Sequence, residues 1–339
     1  MLEISHNQSL KPYNTFGIDV RARLFCEIIA EKQLNELMQE PEFDRYPLLL
    51  LGGGSNILFT DDVDGLVVKI STKGRKIISE NSETVLVRAE AGENWDDFVA
   101  WSLEQGFSGL ENLSLIPGNV GSSPIQNIGA YGVELKDRVE EVEIIYLANA
   151  NRQILQNKDC RFGYRDSIFK HELKGKAVII AVTFKLRKSP ELYLEYGAIS
   201  RELAEMGIQH PAPVDVRDAV CRIRRNKLPD PTVLGNAGSF FKNPTISAVA
   251  FAHLSGKFSD IPSFHQEKGT FKLAAGWLIE QCGWKGARHG DVGVHSSQAL
   301  VLVNYGTATG NQILKLANEI QESVAMKFGV ELEMEVNIL

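Results

Sequence analysis

The sequence predicts a protein of the α+β class with more than one domain. At 339 residues the chain exceeds the size that one hydrophobic core usually supports. Up to about residue 190, extended runs rich in β-branched residues alternate with a few short helical patterns. Between residues 200 and 230 the pattern becomes helical, and Pro211, Pro213, Pro229 and Pro231 interrupt it as they would at a domain boundary.

Strands account for most of the first part of the chain. We predict them where apolar and β-branched residues run together, at 23–30, 48–52, 65–70, 85–91, 142–147 and 177–186. Helices are predicted at 31–40 and 94–106, because Trp95, Phe98 and Val99 of the second segment share one helical face. The first part of the chain is therefore a mixture of helices and strands.

The later part has longer helical patterns and an alternating terminus. Helices are predicted from near Pro213, over 271–282 and over 309–328, with a strand at 299–303. Thr309 and Gln312 have the spacing of a capping box, and Gly329 is a typical helix stop. Residues 330–339 alternate with period two, which predicts a strand with Glu335 on its polar face, where most carboxylates contact water.

The composition and charge limit the possible classes of protein. Hydrophobic residues make up 44% of the chain and charged residues 23%, with no apolar run long enough to span a membrane and no signal or transit peptide. We therefore expect a cytoplasmic protein. A net charge of −7 argues against nonspecific nucleic-acid binding. The four cysteines are far apart and the histidines are not clustered, which predicts buried free thiols and no metal site.

Two glycine-rich segments at strand ends indicate a binding site. The first is Leu-Gly-Gly-Gly-Ser-Asn-Ile-Leu at 51–58, and the second spans 114–132 with four glycines, two prolines and no helical or strand period. Glycines allow backbone N–H groups to approach a ligand closely. Two such loops favour one large cofactor that carries phosphate groups.

Neither loop has the spacing of a known nucleotide-binding fingerprint. Residues 52–57 lack the third glycine of Gly-x-Gly-x-x-Gly, and the pattern Gly-x-x-x-x-Gly-Lys-Ser/Thr does not occur in the chain. These absences argue against Rossmann and P-loop folds. Turn formation alone is the ordinary explanation of a short Gly-x-Gly, but both segments are longer than turns.

Four ordered motifs give the chain a specific resemblance. They are Ile-Pro-Gly-Asn-Val-Gly-Ser-Ser-Pro-Ile-Gln-Asn-Ile-Gly-Ala-Tyr-Gly at 116–132, Cys-Arg-Phe-Gly-Tyr-Arg-Asp-Ser-Ile-Phe at 160–169, Gly-Asn-Ala-Gly-Ser-Phe-Phe-Lys-Asn-Pro at 235–244 and Ala-Ala-Gly-Trp-Leu-Ile-Glu at 274–280. In this order they resemble the UDP-N-acetylenolpyruvoylglucosamine reductases, flavoenzymes of bacterial peptidoglycan precursor synthesis. The resemblance extends from Asn14 to Glu335, and Tyr196 with Gly197 is similar to the longer type I branch of that family.

The resemblance implies a split FAD-binding fold of the vanillyl-alcohol-oxidase type with a third α+β domain for the substrate. The implied domains are 1–70 with 330–339, then 71–205, and 206–329 for the substrate. It also implies non-covalent FAD, NADPH as co-substrate and a UDP-sugar substrate, and we expect a monomer. The residues expected to contact FAD are Gly52, Gly53, Gly54, Ser55, Asn56, Pro117, Gly118, Gly121, Ser122 and Ser123.

The implied reaction transfers a hydride from NADPH through FAD to the methylene carbon of an enolpyruvyl ether, which becomes a lactyl ether. Arg165 matches the residue that meets the negative charge developing on the substrate carboxylate, because a guanidinium fork can bind it twice. Ser239 matches the proton donor to the neighbouring carbon. Glu335 matches a terminal carboxylate that acts protonated or shares a proton. Without the resemblance, each residue has a more ordinary interpretation. Arg165 would form a surface ion pair with Asp166, Ser239 would be a turn hydroxyl, and Glu335 would be a solvated carboxylate.

Three further residues match the family's ligands for the substrate diphosphate: Tyr196, Lys227 and Asn243. Lys227 ends the helix that starts near Pro213. Cations in the last turn of a helix ordinarily complement the helix dipole and face solvent. We keep that ordinary interpretation for Arg222, Arg224 and Arg225.

Two other functions compete with this one. The first is a flavin oxidase of the same superfamily, but such enzymes often bind FAD covalently through His or Cys, and the first glycine loop has neither. The second is a flavin- or nucleotide-binding regulatory protein, for which a proton donor and a carboxylate clamp would be superfluous. Bound FAD without NADPH oxidation in the presence of the enolpyruvyl sugar would favour the regulatory protein.

Overall fold

The structure is a computed structural model and describes residues 2–266 and 269–339. The strands are β1 (Ser5–Ser9), β2 (Arg21–Ile28), β3 (Leu48–Leu51), β4 (Ile57–Leu58), β5 (Val63–Ile70), β6 (Arg75–Glu80), β7 (Thr84–Glu90), β8 (Gly129–Ala130), β9 (Val133–Glu134), β10 (Val139–Tyr146), β11 (Arg152–Gln156), β12 (Ala177–Arg187), β13 (Gly235–Ser239), β14 (Thr245–Ser247), β15 (Ser263–Gln266), β16 (Thr270–Leu273), β17 (Arg288–His289), β18 (Val292–Val294), β19 (Val301–Asn304) and β20 (Asn337–Ile338). The α-helices are α1 (Glu31–Leu37), α2 (Pro41–Arg45), α3 (Trp95–Glu104), α4 (Gly197–Glu205), α5 (Pro213–Lys227), α6 (Ala248–Lys257), α7 (Ala275–Gln281) and α8 (Gly310–Phe328).

The chain divides into two compact units, and each unit takes several segments of the sequence. The first unit contains Met1–Gln8, Arg21–Gly54 and Val63–Asn226, and the second contains Ser9–Val20, Ser55–Asp62 and Lys227–Leu339. The division into 1–70 with 330–339, 71–205 and 206–329 is a finer one and stays a prediction.

The first unit contains two sheets. One has the strand order β1-β2-β5-β3, in which β2 and β3 each pair in parallel with β5. The other has the order β11-β10-β12-β7-β6 and is antiparallel throughout. The strands predicted over the first 190 residues are confirmed, as are α1 and α3, with ends shifted by a few residues.

Strand β12 lies at the centre of the first unit and is buried on both faces. Val178 and Ile180 pack with residues of the first sheet such as Leu66. Phe184 faces the other way and packs on Phe98 of α3, with ring centroids 4.9 Å apart. Burial on both faces explains why this strand is apolar almost without alternation. Helices α4 and α5 form a separate small core of the same unit.

The second unit is built on the antiparallel sheet β13-β19-β18-β17 and a smaller antiparallel sheet, β14-β16-β15. The strand β20 pairs in parallel with β4. Helix α8 begins as predicted, because Thr309 Oγ1 accepts from the Gln312 amide at 3.3 Å and Gln312 Oε1 accepts from the Thr309 amide at 2.9 Å. It ends at Gly329, whose φ of 65° places it in the left-handed region.

Two predictions for the later part need correction. The helix predicted at 271–282 is wrong for its first residues, which form β16 between β14 and β15, and only Ala275–Gln281 is helical. The strand predicted over 330–339 is regular only at β20, with one isolated bridge from Met334 to Phe241. Its predicted alternation is nevertheless present, because Leu332 and Val336 are buried.

The thiol, metal and membrane predictions concern the chain as a whole. Cys26, Cys160 and Cys221 are buried free thiols, as predicted, and Cys282 is partly buried. Over residues 2–266 and 269–339 there is no cluster of three or more His, Cys, Asp or Glu side chains that could hold a metal ion. None of the helices in those same ranges combines the length and the apolar character needed to cross a membrane.

Candidate functional site

Within the first unit, the glycines of the first glycine loop lie against the second glycine loop. A Cβ atom added to Gly53 would lie 2.9 Å from Gly118 Cα and 2.9 Å from Asn119 Oδ1, and one added to Gly52 would lie 3.5 Å from Ser122 Cβ. At Gly53 the close neighbours include backbone, so a side chain would push the loops apart. The sequence predicted that both loops serve one cofactor, and here they are adjacent.

The second glycine loop is fixed to the end of β7 by backbone hydrogen bonds. The Val120 amide donates to the Glu93 carbonyl at 2.9 Å, and the Gly121 amide donates to the Ala91 carbonyl at 2.8 Å. A Cβ on Gly121 would lie 2.5 Å from Ala91 Cβ, so this contact also requires glycine. The loop is therefore held in one shape by the scaffold.

Serine hydroxyls reinforce the same loop from within. Ser122 Oγ donates to the Asn119 carbonyl at 2.9 Å, and Ser123 Oγ, which is buried, donates to the Val120 carbonyl at 2.6 Å. Both hydroxyls thus shape the loop. Their contact with FAD stays a prediction.

The glycine loops fit a dinucleotide cofactor. Gly54 has a φ of 63° and Gly118 a φ of 121°, conformations that an L side chain rarely adopts. Gly53 has no side chain, so the backbones of the two loops come close together there. With Gly54 and Gly118 it forms a cradle whose backbone N–H groups can bind a diphosphate. FAD has such a diphosphate, and the residues present fit it.

Arg165 lies at the far end of the second glycine loop. Its Nη2 donates to the Gly129 carbonyl at 2.8 Å, and its φ of 54° puts its backbone in the left-handed region. The carboxylate of Asp166 contacts His171 Nε2, with distances of 2.8 and 2.9 Å to its two oxygens. Arg165 is thus bound to the second glycine loop, and its role with the substrate stays a prediction.

Tyr196 and Arg224 also contact the second glycine loop. The ring of Tyr196, at the N-terminus of α4, meets the ring of Tyr131 edge-on at 5.3 Å. Arg224 Nε donates to the Leu115 carbonyl at 3.2 Å. Burial holds the pKa of Arg224 below its usual value, with the neighbouring Tyr131, Cys221 and Asp96 acting in the opposite direction.

The ordinary interpretation of Arg224 as a solvent-facing cation was wrong. The Arg224 side chain points at the loop, whereas the exposed Arg222 forms an ion pair with the buried Glu202, at 2.8 Å. A sequence signal was available, because Arg224 follows Cys221, which the sequence predicts to be buried, by three residues on a helix.

Ser239 and Glu335 belong to neighbouring backbone segments of the second unit. Ser239 is the exposed last residue of β13, and the buried Phe240 and Phe241 follow it. The Glu335 amide donates to the Phe240 carbonyl at 2.8 Å. The C-terminal segment therefore runs beside the residues that follow Ser239.

Asn56 connects the second half of the first glycine loop to the same C-terminal segment. Its Nδ2 donates to the Glu335 carbonyl at 3.1 Å, and its own carbonyl accepts from the Asn337 amide at 3.1 Å. Asn56 thus positions the backbone of Glu335. Its predicted contact with FAD, like that of Ser55, is untested.

Asn243 and Lys227 are the other predicted ligands of the substrate diphosphate. Asn243 Oδ1 accepts from the Ala275 amide at 3.0 Å, which leaves its amide nitrogen facing away from that bond. Lys227 is the exposed last residue of α5. Their positions are compatible with ligand binding, and their role stays a prediction.

The glycine-lined cradle of the first unit fits the diphosphate of a flavin dinucleotide, and the class of protein that it indicates is a flavin-dependent oxidoreductase. Residues 24–153 match the FAD binding domain family, and residues 230–339 match the C-terminal domain of UDP-N-acetylenolpyruvoylglucosamine reductase. The enzyme of that name from Pseudomonas aeruginosa is 52% identical over 337 residues, 99% of each chain. The one from Chromobacterium violaceum is 52% identical over 339 residues, 100% of this chain and 99% of that one. The chain belongs to the UDP-N-acetylenolpyruvoylglucosamine reductase family, and the predicted FAD-dependent oxidoreductase is confirmed.

Solved structures agree on the fold. The UDP-N-acetylenolpyruvylglucosamine reductase of Thermus caldophilus superimposes with a TM-score of 0.70 at 23% identity, covering 100% of this chain and 98% of that one. A solvent-stable cholesterol oxidase superimposes with a TM-score of 0.51 at 10% identity, covering 98% and 87% of the two chains. The α+β FAD-binding fold predicted from the sequence is confirmed.

Proposed function

We propose that the protein reduces UDP-N-acetylglucosamine enolpyruvate to UDP-N-acetylmuramate, with NADPH as the electron donor, in the cytoplasmic synthesis of peptidoglycan precursors. The observation that carries the proposal is the pairing of the Glu335 segment with the residues that follow Ser239. We assign the serine and the carboxyl group carried by these two adjacent backbone segments a joint task in adding a proton to carbon. Neither an oxidase nor a regulatory flavoprotein needs that pair.

The substrate carboxylate is assigned to Arg165. When bound, FAD supplies hydride transfer between the nicotinamide and the substrate carbon. The addition leaves negative charge that spreads into the substrate carboxylate, and a guanidinium placed there stabilises it. The hydrogen bond from Arg165 to the Gly129 carbonyl orients the guanidinium plane before the substrate arrives.

The proton is assigned to Ser239. A serine hydroxyl is a weak acid, so it serves only when the acceptor carbon is strongly basic and the hydroxyl is already aimed. Ser239 ends β13 and pairs with Val301 of β19, so the sheet holds its backbone in a fixed position. Glu335 completes the set as a protonated or proton-sharing carboxyl group, since a second negative charge beside the substrate would be repelled.

The remaining assignments concern binding. Tyr196, Lys227 and Asn243 are proposed to bind the substrate diphosphate, with Lys227 supplying the positive charge. The predicted contacts to FAD from the two glycine loops are part of the same proposal, as is the substrate role of residues 206–329.

The test compares the wild type with Ser239→Ala. The purified wild type should be yellow and should consume NADPH only when the enolpyruvyl sugar is present. In Ser239→Ala, reduction of the flavin by NADPH should persist while turnover falls by about 10² to 10⁴-fold, the usual worth of a positioned acid. Ser255→Ala is the matched control, because the Ser255 hydroxyl donates to the Ala252 carbonyl of its own helix, α6.

Each contrary outcome has a distinct meaning. Full turnover by Ser239→Ala would remove the serine from the mechanism. NADPH consumption without the sugar would favour an oxidase, and a colourless protein would contradict bound FAD.

A further inference from the structure

Leu115, at the entrance of the second glycine loop, has a backbone conformation that needs support. Its φ is 58°, in the left-handed region, where a residue with a side chain is strained. It directly precedes Ile116, Pro117 and Gly118, so its conformation sets the direction in which the loop departs.

Side chains from two helices bind both backbone polar groups of Leu115. Asp96 Oδ1, in the first turn of α3, accepts from the Leu115 amide at 2.5 Å. Arg224, in the last turn of α5, donates to the Leu115 carbonyl at 3.2 Å. These two bonds hold the strained Leu115 through both its amide and its carbonyl group.

Asp96 is itself oriented by Arg217 of α5. Arg217 Nη1 donates to Asp96 Oδ1 at 2.6 Å and Arg217 Nη2 donates to Asp96 Oδ2 at 2.9 Å, the forked geometry of a strong pair. The side chains of Arg217 and Asp96 are only 17% and 22% exposed, so solvent screens the pair less than it screens a surface ion pair.

The electrostatics keep the Asp96 carboxylate charged. Burial opposes ionisation, but the hydrogen bonds from Arg217 and the Leu115 amide hold the pKa of Asp96 below its usual range. The hydrogen bond to Asp96 raises the pKa of Arg217, with burial acting in the opposite direction. The acceptor for the Leu115 amide is therefore an ion throughout the neutral range.

Arg217 and Arg224 belong to one stripe of α5. They flank the buried Cys221 at spacings of four and three residues, which places all three on the same helical face. The stripe formed by Val216, Val220 and Ile223 packs in the core shared with α4. Helix α5 thus uses one face for packing and another for the glycine loop.

We propose that Asp96 and Arg217 are positioning residues for the cofactor, which together hold Leu115 in its left-handed conformation and so preorganise the second glycine loop to bind FAD. The inference rests on the proposed contact between this loop and FAD. A loop that is already shaped loses less conformational entropy when the cofactor binds. Neither residue needs to touch FAD.

A purely structural role would differ in one respect. An ion pair that only joins α3 to α5 would work equally well with its charges exchanged. The exchanged pair, Asp96→Arg with Arg217→Asp, keeps the attraction but removes the acceptor for the Leu115 amide. FAD affinity and folding stability should therefore separate in this variant.

The experiment titrates full-length apoprotein with FAD by flavin fluorescence and measures the unfolding of the same apoproteins in urea. Asp96→Leu and the exchanged pair should raise the FAD dissociation constant at least about tenfold, and the exchanged pair should recover most of the stability that Asp96→Leu loses. Asp96→Asn, which retains an acceptor oxygen, should bind FAD more tightly than Asp96→Leu. Arg222→Ala, which breaks a different ion pair of α5, should leave the FAD dissociation constant unchanged.

Two results would overturn the inference. One is wild-type FAD affinity in the exchanged pair. The other, decisive even if the exchanged chain does not fold, is equal affinity in Asp96→Asn and Asp96→Leu. Gly118→Ala separates this failure from failure of the proposed contact, because unchanged FAD affinity in that variant would show that the loop does not bind FAD.

Discussion

The backbone amide of Glu335 donates to the carbonyl oxygen of Phe240 at 2.8 Å, so the segment that carries Glu335 runs beside the residue that follows Ser239. Two predicted catalytic residues from distant parts of the sequence are thereby brought onto adjacent backbone segments. The bond uses main-chain atoms only. Substitution of the Glu335 side chain therefore leaves this pairing intact and probes the carboxyl group itself.

The proposed role of Glu335 predicts that Glu335→Gln is less damaging than Glu335→Ala. Glutamine keeps a hydrogen-bond donor in the place of a protonated carboxyl group, whereas alanine has none. We expect turnover in Glu335→Gln to exceed that in Glu335→Ala by about tenfold, with both below the wild type. The measurement is steady-state NADPH oxidation, with flavin reduction as the control that the FAD site is unchanged.

The result that contradicts this role is equally clear. Equal losses in the two variants, together with a pH–rate profile in which no group titrates above the ordinary glutamate range, would show that Glu335 does not act in its protonated form.

The contact between the glycine loops predicts that Gly53→Ala weakens FAD binding. The new Cβ would lie 2.9 Å from Gly118 Cα, which is backbone, so the two loops must separate. We expect the FAD dissociation constant to rise by about tenfold or more, because the cofactor then meets a distorted cradle. Equilibrium dialysis against FAD measures it.

The matched control is Gly197→Ala. Gly197 begins α4, and a Cβ there would lie more than 4 Å from every other described part of the chain, apart from its two neighbours and the backbone of its own helix. This variant should bind FAD as the wild type does. Retention of a full complement of FAD by Gly53→Ala after dialysis would contradict the proposed cradle.

Local signals in the sequence predicted those parts of the fold that depend on local interactions. The limits of α8 followed from Thr309, Gln312 and Gly329, since each cap forms within a few residues of the helix end. The strands of the first unit followed from runs of β-branched residues, which favour the extended conformation. Residues 271–273 were wrongly predicted as helix because the strands that pair with them, β14 and β15, contact them only in the folded sheet.

The candidate site divides in the same way. The composition of the two glycine loops identifies them as loops, and the prediction that they serve one cofactor agrees with the contact between Gly53 and Gly118. The bonds that Asp96 and Arg224 form with Leu115 could not be predicted, because three separate elements meet there. The roles of Ser239, Arg165 and Glu335 came from the family motifs and not from any local property of those residues.

The buried carboxylate of Glu143 predicts a pH-dependent contribution to stability. It is 4% exposed and accepts hydrogen bonds from Arg88 and Arg152. Burial opposes ionisation, but these two partners lower the pKa of Glu143 below its usual value. A carboxyl group whose pKa is lower in the folded state contributes stability above the unfolded pKa of about 4.3, and that contribution is lost as the pH falls through the folded value.

We therefore expect Glu143→Gln to lower the free energy of unfolding by about 3 kcal/mol at pH 7. This value is at the low end for the loss of one partner of a buried ion pair, because Arg88 still has Glu90 as a partner. The difference from the wild type should shrink as the pH falls through the folded-state pKa of Glu143, where the wild-type carboxyl group also loses its charge. Urea denaturation at several pH values measures it. Glu80→Gln, which breaks the more exposed pair with Lys188, should change stability by less than about 0.5 kcal/mol. A difference for Glu143→Gln that is independent of pH would show that packing and not charge is responsible.

The four thiols predict a graded reactivity that reports on the folded core. Burial raises the pKa of Cys26 and of Cys160 to about 12, so at pH 8 only about one molecule in ten thousand carries either thiolate. Cys221 is also buried, whereas Cys282 is partly accessible. We expect the folded protein to react with DTNB at Cys282 alone, and at all four thiols in denaturant. Cys282→Ser should abolish the reaction of the folded protein with DTNB. Modification of Cys26 or Cys160 in the folded protein, identified by mass spectrometry, would show that the core opens far more often than its burial implies.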